Sequence, residues 1–446
     1  MKKIHLGAGA GYSGDRIEPA VELAERGDIH YLVFECLAER TIALAQGAKL
    51  RDPKAGFDPL LAARMKAVLV PCRARGIKII TNMGAANPIA AAEKVAEVAR
   101  GLGLKGLKIA AVTGDDVFAQ IRNASFPIDD TGEPVSSLGE RIVSANAYMG
   151  VQGIVDALAG GADIVVTGRV SDPALFLAPL VHEFGWPMDD WDRLGKGIAV
   201  GHLLECAAQV TGGYFADPGY KDVPDLARVG FPIAEVSEDG SAVITKVPGS
   251  GGMVTRATCT EQLLYEIHDP SRYFQPDVVA DFSRVTLIAE GLDRVRVAGA
   301  TGTKKTGMLK VTVGYLDSFI GEGEISYAGP GAAARGRLAL EILDARLKSI
   351  GLKCREVRGE LIGIDSILGP KRSAGGPDPK EVRLRLAART DTFEDAVLVG
   401  NEVEALYLNG PAGGGGARSW AREIIGVVSV LIPENFARHE VHRTQS

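Results

Sequence analysis

The first half of the chain repeats one pattern: a short apolar run rich in β-branched residues, a glycine-containing loop, and a segment with apolar residues at helical spacing. A strand, a loop and a helix in this order are typical of βαβ units, which build a parallel sheet covered on both faces. The pattern predicts a doubly wound, mostly parallel α/β domain over residues 1–215, ending within the Gly-, Pro- and Asp-rich residues 212–225. The apolar runs are residues 4–6, 29–34, 77–81, 108–113 and 163–167, and the helical segments are residues 18–24, 38–45, 59–70, 89–101 and 147–159.

Residues 216–446 follow a different pattern. Paired short runs flank turn residues, 233–237 with 242–246 and 285–289 with 295–298, and such pairs predict antiparallel hairpins. The remaining segments mix strand and helix candidates, so we expect a C-terminal α+β domain over residues 216–446. The strand candidates are residues 308–314, 382–387 and the apolar run 424–432, and the helix candidates are residues 335–348 and 393–408.

The charge balance argues against nucleic-acid partners. The chain carries 50 lysines and arginines against 56 aspartates and glutamates, a net charge of −6, whereas nucleic-acid binding requires a basic surface. No stretch approaches the roughly 18 consecutive apolar residues of a membrane-spanning helix, and the apolar start of the chain is too short for a secretion signal. We therefore expect a cytoplasmic protein that binds neither nucleic acid nor membrane.

The cysteines predict neither a disulfide framework nor a structural zinc site, because they are odd in number, far apart and without a CxxC pair. Nothing in the sequence identifies a cofactor. We expect a homo-oligomer, since closed homo-oligomers are common among soluble proteins. The cysteines are Cys36, Cys72, Cys206, Cys259 and Cys354.

Polar side chains follow the predicted parallel strands where each strand ends. Ligands of an open parallel sheet bind outside the carboxyl ends of its strands, because these loops and the helix N-termini open into one crevice. The loops supply carboxylates, amides, a hydroxyl and an arginine, which we interpret as an active-site inventory. These residues are Glu35 after the second strand, Asn82 and Asn87 after the third, Asp115 and Asp116 after the fourth, and Arg169, Ser171 and Asp172 after the fifth.

The loop after the first strand, residues 7–16, fits the G-x-G-x-x-G pattern of dinucleotide sites, with Glu35 as the expected acidic partner. Asp15 would, however, place a negative charge where a pyrophosphate should lie. Two other interpretations stay open: an anionic substrate group at the helix start, or a structural turn in which Asp15 caps the helix. The residues that would surround an anionic group are Gly11, Ser13, Gly14, Asp15 and Arg16.

Three further features have both a functional and a structural interpretation. Arg169 could clamp a carboxylate or phosphate, or form an ion pair with Asp172 or Asp115 that closes the sheet edge. Asp115 and Asp116 could act as a base or bind a hard cation, or cap a helix near residue 117. His202, three residues before Glu205 on a predicted helix, could act as an acid or base or hold half of a metal site, or be a helix histidine without a catalytic role.

Glycine clusters at residues 248–253 and 409–416 are expected to face a ligand, because glycine lets the backbone approach closely. Neither ends in the Gly-Lys-Ser/Thr of a nucleotide P-loop, which disfavours ATP hydrolysis. A G-x-S-x-G nucleophile elbow is also missing, so covalent catalysis by serine has no support. The glycines predicted to contact substrate are Gly251, Gly252, Gly414 and Gly415.

In combination, these loops resemble the acyclic terpene utilisation AtuA family, from residue 3 to about residue 435. The resemblance implies a catabolic role in the breakdown of citronellol- and geraniol-type terpenoids, a route carried through CoA thioesters. It implies no reaction and no residue roles. The loops that carry the resemblance are residues 7–16, 34–39, 82–88, 113–116, 163–173, 201–206 and 409–416.

We therefore predict a hydratase, lyase or isomerase that acts on a small organic acid or an acyl-CoA by proton abstraction. One alternative is a non-catalytic subunit that binds an acyl-CoA or a nucleotide, and another is an NAD(P)-dependent oxidoreductase. Such a reaction needs an anion clamp, a base and a polarising donor. The predicted roles are Arg169 with residues 13–15 as the clamp, Asp115, Asp116 or Glu35 as the base, His202 as the acid or donor, and Asn82 or Asn87 as orienting groups.

Overall fold

The computed structural model describes residues 2–376 and 379–446. The chain divides into two compact units, Met1–Gly314 with Val427–Ser446, and Tyr315–Gly426. The strands are β1 (Lys3–Ala10), β2 (Tyr31–Phe34), β3 (Lys78–Thr81), β4 (Lys108–Thr113), β5 (Ile142–Ala147), β6 (Ile164–Thr167), β7 (Pro232–Ser237), β8 (Ala242–Lys246), β9 (Tyr273–Phe274), β10 (Val279–Asp281), β11 (Thr286–Gly291), β12 (Arg294–Ala298), β13 (Thr301–Thr303), β14 (Met308–Ala328), β15 (Glu356–Ile362), β16 (Glu381–Thr390), β17 (Gly415–Pro433) and β18 (Glu440–Gln445). The helices are α1 (Glu18–Arg26), α2 (Glu39–Arg51), α3 (Leu61–Arg75), α4 (Pro88–Gly101), α5 (Phe118–Ile121), α6 (Gln152–Ala159), α7 (Ala174–Phe184), α8 (Trp191–Glu205), α9 (Arg256–Leu264), α10 (Ala332–Ser349), α11 (Gly369–Ser373) and α12 (Phe393–Asn409).

The first unit is built on one large mixed sheet, with the strand order β11-β12-β8-β7-β1-β2-β3-β6-β4-β18. The five strands predicted from the first half of the sequence are present as β1, β2, β3, β6 and β4, and they pair in parallel. Their side chains are buried on both faces, which explains why they read as continuous apolar runs. The α/β class is therefore confirmed.

The sheet continues beyond the predicted domain boundary at residues 212–225. β7 pairs antiparallel with β1, from Lys3 opposite Ser237 to Gly7 opposite Ile233, so the chain after residue 215 extends the same sheet. The hairpins predicted over residues 233–246 and 285–298 are confirmed as β7–β8 and β11–β12. The parallel strands are thus part of a mixed sheet. At the edge of β1, its free backbone N–H and C=O groups are paired with those of β7.

The second unit has the order β15-β16-β14-β17 in its sheet. β16 pairs antiparallel with both β14 and β15. In chain order the elements run strand, helix, strand, strand, helix, strand, which is the split βαβ arrangement of ferredoxin-like units. The helices predicted near residues 335–348 and 393–408 are confirmed as α10 and α12. Their buried faces and the sheet enclose a separate apolar core.

Over residues 2–376 and 379–446, every helix is too short or too polar to cross a membrane.

Candidate functional site

The carboxyl ends of β2 and β3 bring Glu35 and Asn82 together. The Asn82 Nδ2 donates to Glu35 Oε1 at 2.9 Å, and the backbone N–H of Leu37 donates to the same oxygen at 2.8 Å. The Asn82 Oδ1 in turn accepts from the Cys36 N–H at 2.7 Å. Burial raises the pKa of Glu35 well above its usual range, and the nearby Asp172 raises it further. Both side chains are thus used to order the loop between β2 and α2.

Asp115 joins the ends of β4, β5 and β6. Its Oδ2 accepts from the Asn146 Nδ2 at 2.8 Å and from the backbone N–H of Arg169 at 2.9 Å. Burial raises the pKa of Asp115 to about 6. A Cβ at Gly168 would lie 2.3 Å from the other carboxylate oxygen, so the chain passes directly over this side chain.

Asp116 makes local hydrogen bonds just before α5, whose N-cap is Val117. Its Oδ1 accepts from the Phe118 N–H at 3.1 Å, and its Oδ2 accepts from the Gln46 Nε2 at 3.2 Å. Asn87 is the N-cap of α4, because its Oδ1 accepts from the Ala90 N–H at 3.4 Å, while its Nδ2 donates to the Pro53 carbonyl at 2.8 Å.

Arg169 is buried, with 1% of its side chain exposed. Its Nε donates to the Val170 carbonyl at 3.0 Å, and its two terminal nitrogens donate to the Leu37 carbonyl and to Asp172 Oδ1. The guanidinium also lies 4.2 Å from the centre of the Tyr148 ring. This is the geometry of the ion-pair interpretation, and it leaves Arg169 beneath Tyr148 rather than in contact with open space.

A cavity of about 530 Å³ lies in front of these loops. One part of its wall is polar and another is apolar, which is the usual character of a small-molecule site. Of the residues predicted from sequence, the described wall includes Ser171 and Asp172. The polar wall consists chiefly of Glu39, Tyr148, Ser171, Asp172, Arg272 and Lys310, and the apolar wall of Tyr273, Phe274, Met308 and Leu431.

Asp172 is the predicted carboxylate that faces this cavity, with 34% of its side chain exposed. Burial raises its pKa, although the positive charge of Arg169 lowers it. Its neighbour Ser171 is hydrogen-bonded to Gln275, which lines the same cavity. Asp172 therefore combines contact with the cavity and a perturbed pKa, two features typical of acid–base residues.

Glu39, Tyr148 and Lys310 form a second polar group on the wall, which sequence reasoning missed. The Tyr148 hydroxyl donates to Glu39 Oε1 at 2.6 Å, and the Lys310 Nζ lies 3.2 Å from the same oxygen. Although burial opposes it, the Tyr148 hydrogen bond and the charges of Lys310 and Arg169 lower the pKa of Glu39 to about 2. Tyr148 directly follows β5, a strand whose apolar and β-branched residues 142–147 were the available signal.

The glycine-rich loop after β1 is organised by its own carboxylate. Asp15 accepts from the Gly11 N–H at 2.9 Å and from the Arg16 N–H at 2.8 Å. The fully buried Arg64, which sequence reasoning missed, donates to the carbonyls of Ser13 at 2.9 Å and Asp15 at 3.1 Å. These contacts fit a structural turn, because Asp15 already occupies amides that a phosphate would need. The expected helix cap is wrong, since the N-cap of α1 is Ile17, without a side-chain hydrogen bond.

Several glycines that were predicted to contact a ligand instead lie where two backbone segments of the chain approach each other closely. A Cβ at Gly11 would lie 2.5 Å from the Cys206 backbone, one at Gly251 would lie 2.1 Å from the Asp225 carbonyl, and one at Gly252 would lie 2.4 Å from the Thr211 carbonyl. The other residues predicted to contact substrate have different surroundings. A Cβ at Gly14 would meet the Tyr12 ring, and Arg16 donates to the Ala227 carbonyl. In the second unit, Gly414 directly precedes β17 and Gly415 is its first residue.

His202 and Glu205 form a buried pair at the end of α8. The His202 Nδ1 and Glu205 Oε1 are 2.7 Å apart. Burial raises the pKa of Glu205 to about 7, although His202 lowers it. The imidazole centre lies 5.5 Å from the ring of Tyr273, which lines the cavity.

Within the part of the chain that the structure describes, no group of three or more His, Cys, Asp and Glu side chains converges as metal ligands do.

Comparison with known proteins gives one match that spans the chain. A family model described as "Acyclic terpene utilisation family protein AtuA" matches residues 4–443. No curated protein and no solved structure matches the chain.

Proposed function

Because the chain belongs to the acyclic terpene utilisation AtuA family, as its loops predicted, we propose that it is an enzyme of acyclic terpenoid breakdown that transfers protons on an acyl substrate. The family relates the chain to acyclic terpene utilisation. The proposal adds the reaction class, a hydratase, lyase or isomerase acting on a small organic acid or its CoA thioester.

The observation that carries the proposal is the cavity of about 530 Å³ in which Asp172 faces an apolar wall. This volume falls within the range of roughly 300–1,000 Å³ of small-molecule sites. The side chains of Phe274, Met308 and Leu431 would hold the hydrocarbon part of the substrate. A carboxylate beside an apolar wall is the arrangement that raises its basicity.

An anionic substrate group has a partner in Arg272. Its guanidinium lies 5.2 Å from the centre of the Phe274 ring, and among the described residues no carboxylate is within ion-pair distance of it. Lys310 is less available, because its Nζ lies 3.2 Å from Glu39. We therefore assign the anion-binding role to Arg272 in place of Arg169.

Asp172 would act as the base, taking a proton from the carbon beside the substrate carbonyl. We assign this role to Asp172 rather than to Asp115 or Glu35, because their carboxylates are hydrogen-bonded inside the loops. A carboxylate with a raised pKa is the stronger general base near neutral pH. Arg169 would act as a positioning residue, since its guanidinium holds Asp172 in one orientation.

The test combines binding with proton exchange. Purified protein is screened by thermal shift against CoA thioesters of branched C10 acids, the free acids, CoA alone and nicotinamide nucleotides, since a ligand at about 100 times its Kd adds about 2.7 kcal/mol. Each stabilising ligand is then followed by NMR in D2O for deuterium uptake beside its carbonyl. We expect Asp172→Asn to bind the ligand but exchange at least ~100-fold more slowly, and Arg272→Gln to lose binding.

Asp189→Asn is the matched control, because Asp189 is exposed and is not among the residues that line the cavity. Exchange at the wild-type rate in Asp172→Asn would contradict the assignment of the base. Binding without exchange in the wild type would favour the non-catalytic subunit, and stabilisation by nicotinamide nucleotides alone would favour the oxidoreductase.

A further inference from the structure

Besides Asp172, which takes a proton, a hydration, elimination or isomerisation can use a second group that gives one. The last turn of α8 holds His202 and Glu205, and the His202 ring lies 5.5 Å from the ring of Tyr273, which lines the cavity. We infer that the His202–Glu205 pair is a second proton-transfer site of this cavity, separated from it by the Tyr273 side chain. This inference rests on the proposed function for its chemistry, but not for its geometry.

Three polar atoms around the pair have no hydrogen-bond partner among the described residues: His202 Nε2, Glu205 Oε2 and Gln262 Oε1. His202 and Gln262 are almost fully buried, and 11% of the Glu205 side chain is exposed. The Gln262 Nε2 donates to the His202 carbonyl at 2.8 Å, which leaves its Oε1 as an unused acceptor. Buried polar atoms in native proteins are almost always paired, and exceptions concentrate where a site binds or reacts.

Tyr273 is the cavity-wall residue next to the imidazole. The rings of His202, Tyr273 and Phe282 form a triangular cluster, with ring centres 5.5 Å apart for His202 and Tyr273, 5.8 Å for His202 and Phe282, and 5.4 Å for Tyr273 and Phe282. Both rings contact the imidazole, but of the two only Tyr273 belongs to the described cavity wall. β9, which carries Tyr273, is only two residues long, so one side chain rather than a structural layer closes this path.

The cavity and the buried pair are also close electrostatically. Burial raises the pKa of Glu205, and the charges of Asp172 and Glu266, which both line the cavity, raise it further. Partly buried charges are screened less by solvent than exposed ones are. The ring contact between His202 and Tyr273, together with this charge interaction, places the pair beside the cavity.

With His202 as the donor, both proton transfers of the proposed reaction are assigned to a residue. Asp172 takes a proton from one substrate carbon. When the Tyr273 side chain turns aside, the imidazolium of His202 gives its Nε2 proton to a second substrate atom. The lone pair stays on Nε2, and the proton on Nδ1 remains hydrogen-bonded to Glu205 Oε1. The Glu205 carboxylate thus keeps the imidazole in the tautomer that has Nε2 as its reactive atom.

Chemical modification of the full chain tests whether the Tyr273 side chain limits access to His202. Diethyl pyrocarbonate acylates unprotonated imidazole nitrogen, and mass spectrometry follows His202 with the exposed His268 as internal reference. We expect slow modification of His202 in the wild type and in Tyr273→Phe, and at least tenfold faster modification in Tyr273→Leu. Phe282→Leu removes the other ring and is the matched control, so modification of His202 in this variant should stay slow.

Three results would overturn the inference: His202 as reactive as His268 in the wild type, no acceleration in folded Tyr273→Leu, or equal acceleration in Phe282→Leu. The chemical role has its own readout. With a ligand that exchanges deuterium in the wild type, His202→Gln should keep exchange beside the carbonyl and lose conversion to product, whereas a structural role would lower both. If no ligand exchanges at all, the proposed function fails while the modification result stands.

Discussion

Two buried arginines hold the loops at the carboxyl ends of the parallel strands. Arg64 donates to the carbonyls of Ser13 and Asp15, and Arg169 donates to those of Leu37 and Val170. Each guanidinium has a carboxylate partner, Asp58 at 3.4 Å for Arg64 and Asp172 for Arg169. The sequence marked Arg169 by its place after a strand and offered Asp172 or Asp115 as its ion-pair partner, and the structure pairs it with Asp172. Arg64, inside a helical segment, carried no signal.

The stability of the protein should depend on pH through the buried side chain of Asp115. Burial raises its pKa from an ordinary value of 3.8 to about 6, so the folded protein binds this proton more tightly than the unfolded chain does. The contribution of Asp115 to stability therefore falls as pH rises from about 4 to about 6 and is constant above that range. Asp115→Asn keeps an oxygen that accepts both hydrogen bonds and removes the titration. Its free energy of unfolding, relative to the wild type, should rise by up to about 3 kcal/mol between pH 4 and pH 7.

Urea unfolding at both pH values measures this difference. The exposed Asp189→Asn should change stability by less than about 0.5 kcal/mol at either pH. A difference between Asp115→Asn and the wild type that is the same at pH 4 and pH 7 would contradict a buried, titrating Asp115.

At the scale of elements, the close approach of α7 and α8 depends on one glycine. A Cβ at Gly201 would lie 2.6 Å from the Pro173 carbonyl oxygen and 2.7 Å from the Pro173 Cα, at the start of α7. This contact fixes the last turn of α8, which carries His202, relative to the loop that carries Asp172. Helical periodicity predicted α8 from the sequence, but the contact depends on packing between two elements.

Gly201→Ala should destabilise the protein by about 1–3 kcal/mol, because backbone atoms must move to admit the methyl group. Gly47→Ala in α2 is the matched substitution, since the nearest atom to a Cβ there is Arg51 Nη1 at 3.7 Å. It should raise stability by about 0.5–1 kcal/mol through the lower chain entropy of alanine. Chemical unfolding of the two variants gives the comparison, and equal effects of either sign would contradict the close contact at Gly201.

At the scale of the whole molecule, the chain has two compact units with separate apolar cores. The sequence predicted a division near residue 215, where Gly, Pro and Asp interrupt the pattern. The structure continues the first sheet through that segment, because β7 pairs with β1. The second unit instead begins inside the long strand β14 and ends inside β17, where no composition change marks a boundary. A cytoplasmic location and a homo-oligomer stay predictions.

Residues 315–426 should fold when expressed alone, because they carry their own core and a complete split βαβ sheet. We expect one cooperative urea transition by circular dichroism. A fragment that ends at residue 414 lacks β17 and exposes an edge of β14, so it should lose this cooperativity. A broad, non-cooperative transition for residues 315–426 would mean that the unit depends on the rest of the chain.

The sequence by itself determined the α/β class, the five parallel strands, two hairpins and the family, because these depend on local periodicity, turn residues and motif order. It also placed Ser171 and Asp172 on a loop at the carboxyl end of a parallel strand, where ligands of such sheets bind, and both residues line the cavity. Only the tertiary structure decided which polar residues face the cavity. Tyr148, Arg272 and Lys310 come from segments far apart in the chain, and burial and charge pairing depend on contacts that no local pattern encodes.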